Sequence, residues 1–205
     1  MNPLEHVHEG YVVARRSRVL CGHLAPLMPA SARVLDVGCG DGRIAALLKH
    51  ARPDLTLEGV DVAARPDARI PVRVFDGQTL PAAAGSFDVV LFVDVLHHAA
   101  DPLRLLREAA RVARRAVVLK DHTREGLFAQ ETLSFMDWVG NARHGVARPQ
   151  TYWSKRQWLQ AAADLGLTVG EWRQPLGLYP WPASLLFERS LHFIARLDVA
   201  PSRSV

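Results

Sequence analysis

The residues best suited to chemistry are an acid and three glycines within seven positions: Asp36, Gly38, Gly40 and Gly42. Glycine has no Cβ, so such a turn can adopt positive φ angles and let a ligand lie against bare main chain. The dinucleotide-binding fingerprint would place its third glycine at position 43, where this sequence has Arg43. An acid two residues before the first glycine would repel a pyrophosphate but attract a cationic amino acid. The spacing therefore predicts a nucleotide site for a positively charged ligand.

Two further acids follow strand-like segments. Asp61 ends the segment 55–62, 19 residues after Gly42, and Asp76 and Gly77 follow the segment 71–75. A carboxylate at the end of a second strand can accept hydrogen bonds from both ribose hydroxyls, in dinucleotide sites as in others. The offset of Asp61 supports an adenosine without choosing the cofactor. An aspartate at a strand end is also a common turn former, which is the structural alternative for both acids.

Hydrophobic periodicity predicts the elements that hold these residues at one edge of a sheet. The apolar run Phe87–Val93 indicates a strand covered by helices on both faces. The prediction is a three-layer, Rossmann-like, doubly wound α/β sheet of seven strands, mostly parallel with the last strand antiparallel, preceded by an N-terminal helix. The predicted strands are 34–37, 55–62, 71–75, 87–93, 116–119, 168–172 and 192–197, and the predicted helices are 9–27, 43–50, 103–113, a helix within 126–141, and 154–165.

Between residues 34 and 101 the chain resembles the class I S-adenosylmethionine-dependent methyltransferases, in particular their small-molecule type. The segment 36–42 resembles the first motif of that family, and the acid at the end of the second strand and the segment 94–102 recur in order after it. The general layout extends from about residue 10 to the C-terminus. One departure is that Arg114 and Arg115 stand where many relatives have a Pro-Gly turn before the fifth strand.

The resemblance implies S-adenosyl-L-methionine as cofactor and S-adenosyl-L-homocysteine as product. It implies that the first motif holds the methionine end, that Asp61 binds the ribose, and that Asp76 and Gly77 bind the adenine. The implied cofactor-binding residues are Asp36, Gly38, Cys39, Gly40, Gly42, Asp61, Val62, Asp76, Gly77, Val93 and Asp94.

Methyl transfer is an in-line displacement in which the protein aligns the acceptor and, for a hydroxyl or an acidic carbon, removes its proton. His98 falls where similar plant O-methyltransferases place their general base, and His122 with Asp121 is the second candidate. A His-His pair at this point also occurs in the wider class without catalytic duty, and a mechanism without a base stays open. The histidine spacing predicts no metal site.

Aromatic residues concentrate in the segment 123–165, the interval that the family uses as a variable substrate lid. The candidate acceptor-binding residues are Phe128, Phe135, Trp138 and Tyr152, together with Tyr11 and Arg15 of the N-terminal helix. Ordinary packing of an extra helix is the alternative for the aromatic residues. The length suits one domain, 1–205, made of an N-terminal helical segment 1–30, a cofactor-binding half 31–122, the lid insertion 123–165, and the last two strands 166–205.

Composition narrows the partners. The formal charge of +4 comes from 22 Arg and 3 Lys that are scattered among acids, which argues against a nucleic-acid track. Two cysteines, no signal-peptide pattern and no long apolar run favour a cytoplasmic protein without a transmembrane segment, either a monomer or a homodimer. The apolar segment 178–187 leaves peripheral membrane contact open.

The predicted function is methyl transfer from S-adenosylmethionine to a small or medium-sized, partly apolar acceptor through oxygen, carbon or nitrogen. Methylation of RNA or protein is the alternative within enzymes. The sequence Asp94-Val95-Leu96-His97 stands where amino-methylating nucleic-acid enzymes carry an N-P-P-Y signature, which argues against that alternative. A non-catalytic, cofactor-binding partner subunit with the same fold is the alternative outside enzymes.

Overall fold

Seven strands form one sheet at the centre of the computed structural model, which describes residues 3–63, 65–141 and 151–200, with side chains for 14–63, 65–138 and 151–200. The strands are β1 (Arg33–Val37), β2 (Thr56–Asp61), β3 (Val72–Val74), β4 (Phe87–Val93), β5 (Ala113–His122), β6 (Leu167–Arg173) and β7 (His192–Val199). Their spatial order is β3-β2-β1-β4-β5-β7-β6. Only β7 runs antiparallel to its neighbours β5 and β6, which confirms the predicted mixed sheet.

Six α-helices accompany the sheet in the described residues. They are α1 (Pro3–Leu24), α2 (Arg43–Ala51), α3 (Pro102–Val112), α4 (Ala129–Asn141), α5 (Lys155–Asp164) and the short α6 (Ser184–Phe187), and 3₁₀ turns cover Ala25–Leu27 and Leu96–His98. The start of α5 is a capping box in which Ser154 and Gln157 bond each other's backbone, as the sequence predicts.

The central strand β4 shows why the sheet has helices on both faces. Val89 and Leu91 belong to the core formed with α1 and α2, whereas Val90 and Phe92 belong to the core formed with α3 and α5. All four side chains are fully buried. Each such burial stabilises the fold by roughly 1.5–3 kcal/mol, so an apolar run without polar alternation is what a doubly covered strand needs. The predicted three-layer, Rossmann-like fold is confirmed.

The fifth strand is longer than predicted. Helix α3 passes directly into β5 at Ala113, so Arg114 and Arg115, which precede the predicted strand 116–119, lie within the strand. Two contacts explain the difference: Ala113 pairs with Phe87 across the ladder, and Arg114 Nη2 donates to Asp88 Oδ1 at 2.6 Å.

The described part of the segment 123–165 contains two helices, α4 and α5, which have different surroundings. Helix α5 packs on the sheet, where Trp158 is buried against Phe193 and its indole N–H donates to the His122 carbonyl at 3.0 Å. Helix α4 instead carries the exposed Phe135 and Trp138 and reaches His97 through Asp137. A lid function for this segment stays a prediction. Of the two helices, α4 is the one that carries exposed aromatic side chains.

Candidate active site

The turn between β1 and α2 uses its glycines in two ways. All three have positive φ angles, +69° at Gly38, +58° at Gly40 and +72° at Gly42. A Cβ on Gly38 would lie 2.6 Å from Val95 Cγ2, and one on Gly42 would lie 2.6 Å from Ile70 Cγ1. At Gly40 the nearest heavy atom would be 3.9 Å away. Gly38 and Gly42 therefore allow close packing, while Gly40 presents bare backbone to open space.

A cavity of about 440 Å³ lies between this turn and the loops that follow β2, β3 and β4. This is the carboxyl edge of the parallel strands, where open α/β sheets bind ligands. Seven of the predicted cofactor-binding residues line it, namely Gly38, Gly40, Asp61, Val62, Asp76, Gly77 and Asp94. The structure therefore brings the acids from the ends of β2, β3 and β4 to one space.

Other predicted residues lie outside the cavity lining. Asp36 is 2% exposed, Cys39 abuts Gly59, Gly42 packs on Ile70, and Val93 packs against the α1/α2 core. Their contact with a cofactor stays a prediction.

Sequence reasoning missed several lining residues, which are Arg65, Phe75, Gln78, Val95, Ala99, Ala100 and Leu105. No residue type among them signals a site. The only available signal was proximity in sequence, since Gln78 follows Gly77 and Val95 follows Asp94.

Asp61 links the glycine turn to the end of β2. Its Oδ2 accepts from the Gly40 N–H at 2.8 Å, and its Oδ1 accepts from the Ala63 N–H at 3.1 Å. Asp76 is fixed in a similar way, because its Oδ1 accepts from the N–H groups of Gln78 at 2.8 Å and Thr79 at 2.7 Å. The Thr79 and Gln78 bonds lower the pKa of Asp76. Both carboxylates are thus held by main chain before any ligand binds.

Asp36 has a different environment, since it lies in β1 beside Gly59 of β2 and Leu91 of β4. Burial and the nearby charge of Asp61 raise the pKa of Asp36 to about 7. The same two causes, burial first and then the charges of Asp36 and Asp61, raise the pKa of Cys39 to about 12. The turn therefore covers a carboxyl group whose ionised form would be stabilised by a nearby cation.

Asp94 joins the cavity to a buried polar cluster. It follows β4 with a φ of +58°, and its Oδ1 accepts from the ammonium of Lys120, which is fully buried in β5. Lys120 Nζ also lies 3.4 Å from His192 Nδ1, and His192 Nε2 lies 2.9 Å from the Phe187 carbonyl.

Burial opposes ionisation of Asp94, but Lys120, His122 and Arg16 together hold its pKa below the usual range. His192 is the neutral partner, because burial and Lys120 hold its pKa well below normal.

The catalytic candidates occupy different depths. His98 lines the cavity, whereas Asp121 and His122 are buried beside His97. His97 Nδ1 is 2.7 Å from Asp121 Oδ1, and Asp121 Oδ2 accepts from the Leu96 N–H at 3.0 Å. Burial lowers the pKa of His97, but Asp121, Asp94 and Asp137 together raise it by more, so its net shift is upward. Burial and Lys120 lower the pKa of His122, which favours its neutral form.

Helix α4 reaches the same cluster through Asp137. The Tyr152 hydroxyl donates to Asp137 Oδ2, which lies 3.5 Å from His97 Nε2. The Tyr152 and His97 rings stack with centroids 5.8 Å apart. His97 thus lies between two carboxylates that come from different elements.

The six candidate acceptor-binding residues separate in the structure. Tyr152 is buried against His97 and His122. Phe128, Phe135 and Trp138 are 65%, 52% and 67% exposed, and Arg15 donates to the carbonyls of Gly177 and Leu178. The side chain of Tyr11 lies outside the described residues. Acceptor binding by all six stays a prediction.

Two chain segments carry exposed large apolar side chains. They are Leu127, Phe128, Phe135 and Trp138 in one segment, and Trp181, Leu185 and Leu186 in the other. Arg189 joins the two segments, because it donates to the carbonyls of Leu127 and Leu186. Within the described ranges no helix combines the length and the apolar character needed to cross a membrane. Peripheral membrane contact and the oligomeric state stay predictions.

The fold and the site define a class. A doubly wound sheet with three strand-end carboxylates and a bare glycine turn at one cavity defines a Rossmann-like α/β protein. The relatives of the chain identify its family.

A family model of a methyltransferase domain matches residues 12–171, which is most of the chain. The chain belongs to the class I S-adenosylmethionine-dependent methyltransferases. It is 30% identical over 131 residues to 27-O-demethylrifamycin SV methyltransferase of Amycolatopsis mediterranei, a match that covers 54% of this chain and 48% of the relative. It is 38% identical over 96 residues to a ubiquinone biosynthesis O-methyltransferase of Xanthomonas axonopodis pv. citri, which covers 42% of this chain and 40% of the relative.

The solved structures agree on the fold. A methyltransferase solved in complex with the Haloferax volcanii activator Trm112 superposes with a TM-score of 0.65 at 20% identity, covering 95% of each chain. At that identity the likeness concerns the fold alone. The matches to the two curated relatives span about half of their length or less.

Proposed function

We infer that this protein transfers the sulfonium methyl group of S-adenosylmethionine to a small or medium-sized, partly apolar acceptor, and that the acceptor atom is a hydroxyl oxygen. The observation that carries the proposal is the convergence of Asp61, Asp76 and Asp94 on one cavity, with Asp36 behind its glycine turn. One relative is named for a 27-O-demethyl substrate and the other is named an O-methyltransferase, which supports oxygen over carbon or nitrogen.

The residues present fit this cofactor. Gly40 leaves open the space that a Cβ would fill, and the acids supply acceptors for ribose hydroxyls, an adenine amino group and a cationic amino acid. In the proposed assignment Asp61 binds the ribose, and Asp76 with the adjacent Gly77 binds the adenine. Asp36 and Asp94 favour the positive charges of the methionine end. Asp94 suits that role because Lys120 keeps it ionised.

A bound S-adenosylmethionine would supply a methyl group that its sulfonium already activates for in-line transfer to the acceptor oxygen, with S-adenosylhomocysteine as the leaving group. The chain has to orient the acceptor and take its proton. His98 is the base in our assignment because it lines the cavity next to Asp94 and Val95. His122 and Asp121 lie deeper, and we assign them the role of holding the His98 side of the cavity in place.

Cofactor binding is tested by calorimetry with S-adenosylhomocysteine on the purified chain. Asp61→Asn should weaken binding by about 1–3 kcal/mol, because charge-assisted bonds to the ribose are lost. Asp164→Asn is the matched control, since Asp164 lies at the end of α5 and bonds Gln160 on the surface. Equal affinities of the two variants would remove Asp61 from the site.

Transfer is tested with methyl-labelled S-adenosylmethionine and panels of phenols, aliphatic alcohols and amines, and RNA. We expect label on a hydroxyl compound, and His98→Gln should lower turnover while S-adenosylhomocysteine affinity is kept. Label on RNA or an amine would contradict the acceptor assignment. Tight cofactor binding without transfer to any panel member would favour the partner-subunit alternative.

A further inference from the structure

Three potential ligand atoms from the ends of β4 and β5 meet in the buried cluster. His97 Nδ1 lies 2.7 Å from Asp121 Oδ1 and 3.4 Å from His122 Nδ1. His122 Nδ1 lies 3.5 Å from Asp121 Oδ1. The three residues are 1%, 0% and 4% exposed. Two imidazole nitrogens therefore face each other across one carboxylate oxygen, away from solvent.

The distance between the two ring nitrogens limits what can lie between them. Two Nδ1 atoms at 3.4 Å cannot both carry a hydrogen directed at the other, so the space between them suits either one hydrogen or one metal ion. Ligand bonds of about 2.1 Å in tetrahedral geometry place ligand atoms roughly 3.4 Å apart. Two of the three separations match that value. The third, at 2.7 Å, would have to lengthen by roughly 0.7 Å.

The neighbouring groups orient the ligands as the outer contacts of metal sites do. Asp121 is fixed because its Oδ2 accepts from the Leu96 N–H and its Oδ1 accepts from the His122 N–H. His97 presents its other ring nitrogen to Asp137 Oδ2 at 3.5 Å. A carboxylate on the far nitrogen of a ligating histidine sets the ring orientation and raises ligand basicity.

We propose that His97, Asp121 and His122 bind one divalent transition-metal ion, of the class that prefers two imidazoles and one carboxylate, such as Zn²⁺, Fe²⁺ or Co²⁺. Their ligand atoms all lie within 4.8 Å of one another. Asp94 Oδ1, 3.8 Å from His122 Nδ1, borders the fourth position and lines the cofactor cavity. The histidine spacing along the chain predicted no metal site. The proposal departs from that prediction because His97 lies 24 residues before Asp121, and the ligands meet only at the ends of neighbouring strands.

Two rival arrangements are specific enough to test. In one, a proton alone holds the cluster together, with His97 donating to Asp121. In the other, the ion binds to His97, His98 and Asp137, a second set whose ligand atoms also lie within 4.8 Å. Metal binding does not depend on methyl transfer, so the two proposals can fail separately.

The experiment uses the full chain without a histidine tag. Metal content is measured by plasma mass spectrometry after growth with Zn²⁺, Fe²⁺ and Co²⁺, and the chelator-treated protein is titrated with Zn²⁺ and with Co²⁺ by calorimetry. We expect about one ion per chain, and His122→Gln and Asp121→Asn should each weaken the affinity about tenfold or more. The control is His192→Gln, whose ring is 4.9 Å from that of His122 and which keeps an acceptor for Lys120. It should retain the ion.

Binding of S-adenosylhomocysteine by each variant verifies that it is folded. A wild-type protein that carries no stoichiometric metal and binds neither ion in the titrations overturns the proposal in favour of the shared proton. Loss of the ion in His98→Gln and Asp137→Asn, with retention in His122→Gln and Asp121→Asn, moves the site to the second set and also overturns it. Equal loss in His192→Gln has the same consequence.

Discussion

The two halves of the carboxyl edge of the sheet hold their polar groups in opposite ways. Beyond β1, β2 and β3, a bare glycine turn and main-chain-bound carboxylates face an open cavity. Beyond β4, β5 and β7, the charged groups face one another, with Lys120 on Asp94 and His97 on Asp121. The carboxylates of the first half are placed to neutralise positive charge on a ligand. The charged groups of the second half largely neutralise one another, although Asp94 also lines the cavity. Substitutions should therefore affect mainly ligand affinity in the first half and mainly stability in the second.

The largest expected effect is on the second half. Lys120→Met should lower the free energy of unfolding by about 3–5 kcal/mol, because it leaves a carboxylate without its buried partner. The control Lys155→Met removes an exposed cation 5.1 Å from the Trp172 ring and should cost less than about 1 kcal/mol. Urea denaturation measures both. Similar values for the two lysines would mean that the Asp94–Lys120 pair adds no stability.

A glycine substitution should separate affinity from stability in the first half. Gly40→Ala should cost about 1–2 kcal/mol of stability because of its positive φ, while the new Cβ enters the cavity and weakens S-adenosylhomocysteine binding about tenfold or more. Gly38→Ala should instead lose stability mainly through its clash with Val95. Calorimetry on both variants measures the loss of ligand affinity, and thermal unfolding measures the loss of stability. If the two variants behave alike, the distinction between packing glycines and a ligand-facing glycine is wrong.

The smallest expected effect is a pH dependence. Asp36 has a pKa of about 7 in the free protein, and a bound cation favours its ionised form. S-adenosylmethionine binding should therefore release protons and tighten by up to about tenfold between pH 6 and pH 8. Calorimetry in buffers of different ionisation enthalpy measures the released protons. Asp36→Asn should abolish the dependence, and a flat wild-type profile would contradict the assignment.

The same pKa has a consequence for stability, with a defined sign. The folded chain keeps the Asp36 proton up to about pH 7, whereas an unfolded aspartate loses it near its ordinary value of 3.8. The folded state therefore binds more protons between these values. The contribution of Asp36 to stability is greatest below the lower value and decreases as pH rises towards 7.

Local patterns were sufficient to predict the glycine turn and the acids that line the cavity. The glycine turn and the acids at the ends of β2, β3 and β4 are each read within a few residues, and parallel strands bring their carboxyl ends together without further information. The apolar run of β4 likewise predicts helices on both faces. What escaped was the part of the cavity wall made of ordinary residues, such as Arg65, Phe75 and Leu105.

The family, the layered sheet and the row of acids were determined by the sequence alone, because each depends on contiguous residues or on a strict periodicity. Only the tertiary structure decided that Gly38 packs on Val95, that Lys120 is buried on Asp94, and that His97 meets Asp121 and His122. These contacts join residues far apart in the chain through the register of β1, β4 and β5. Residue type and spacing along the chain do not predict such distances, because the packing of whole helices and strands determines which side chains meet.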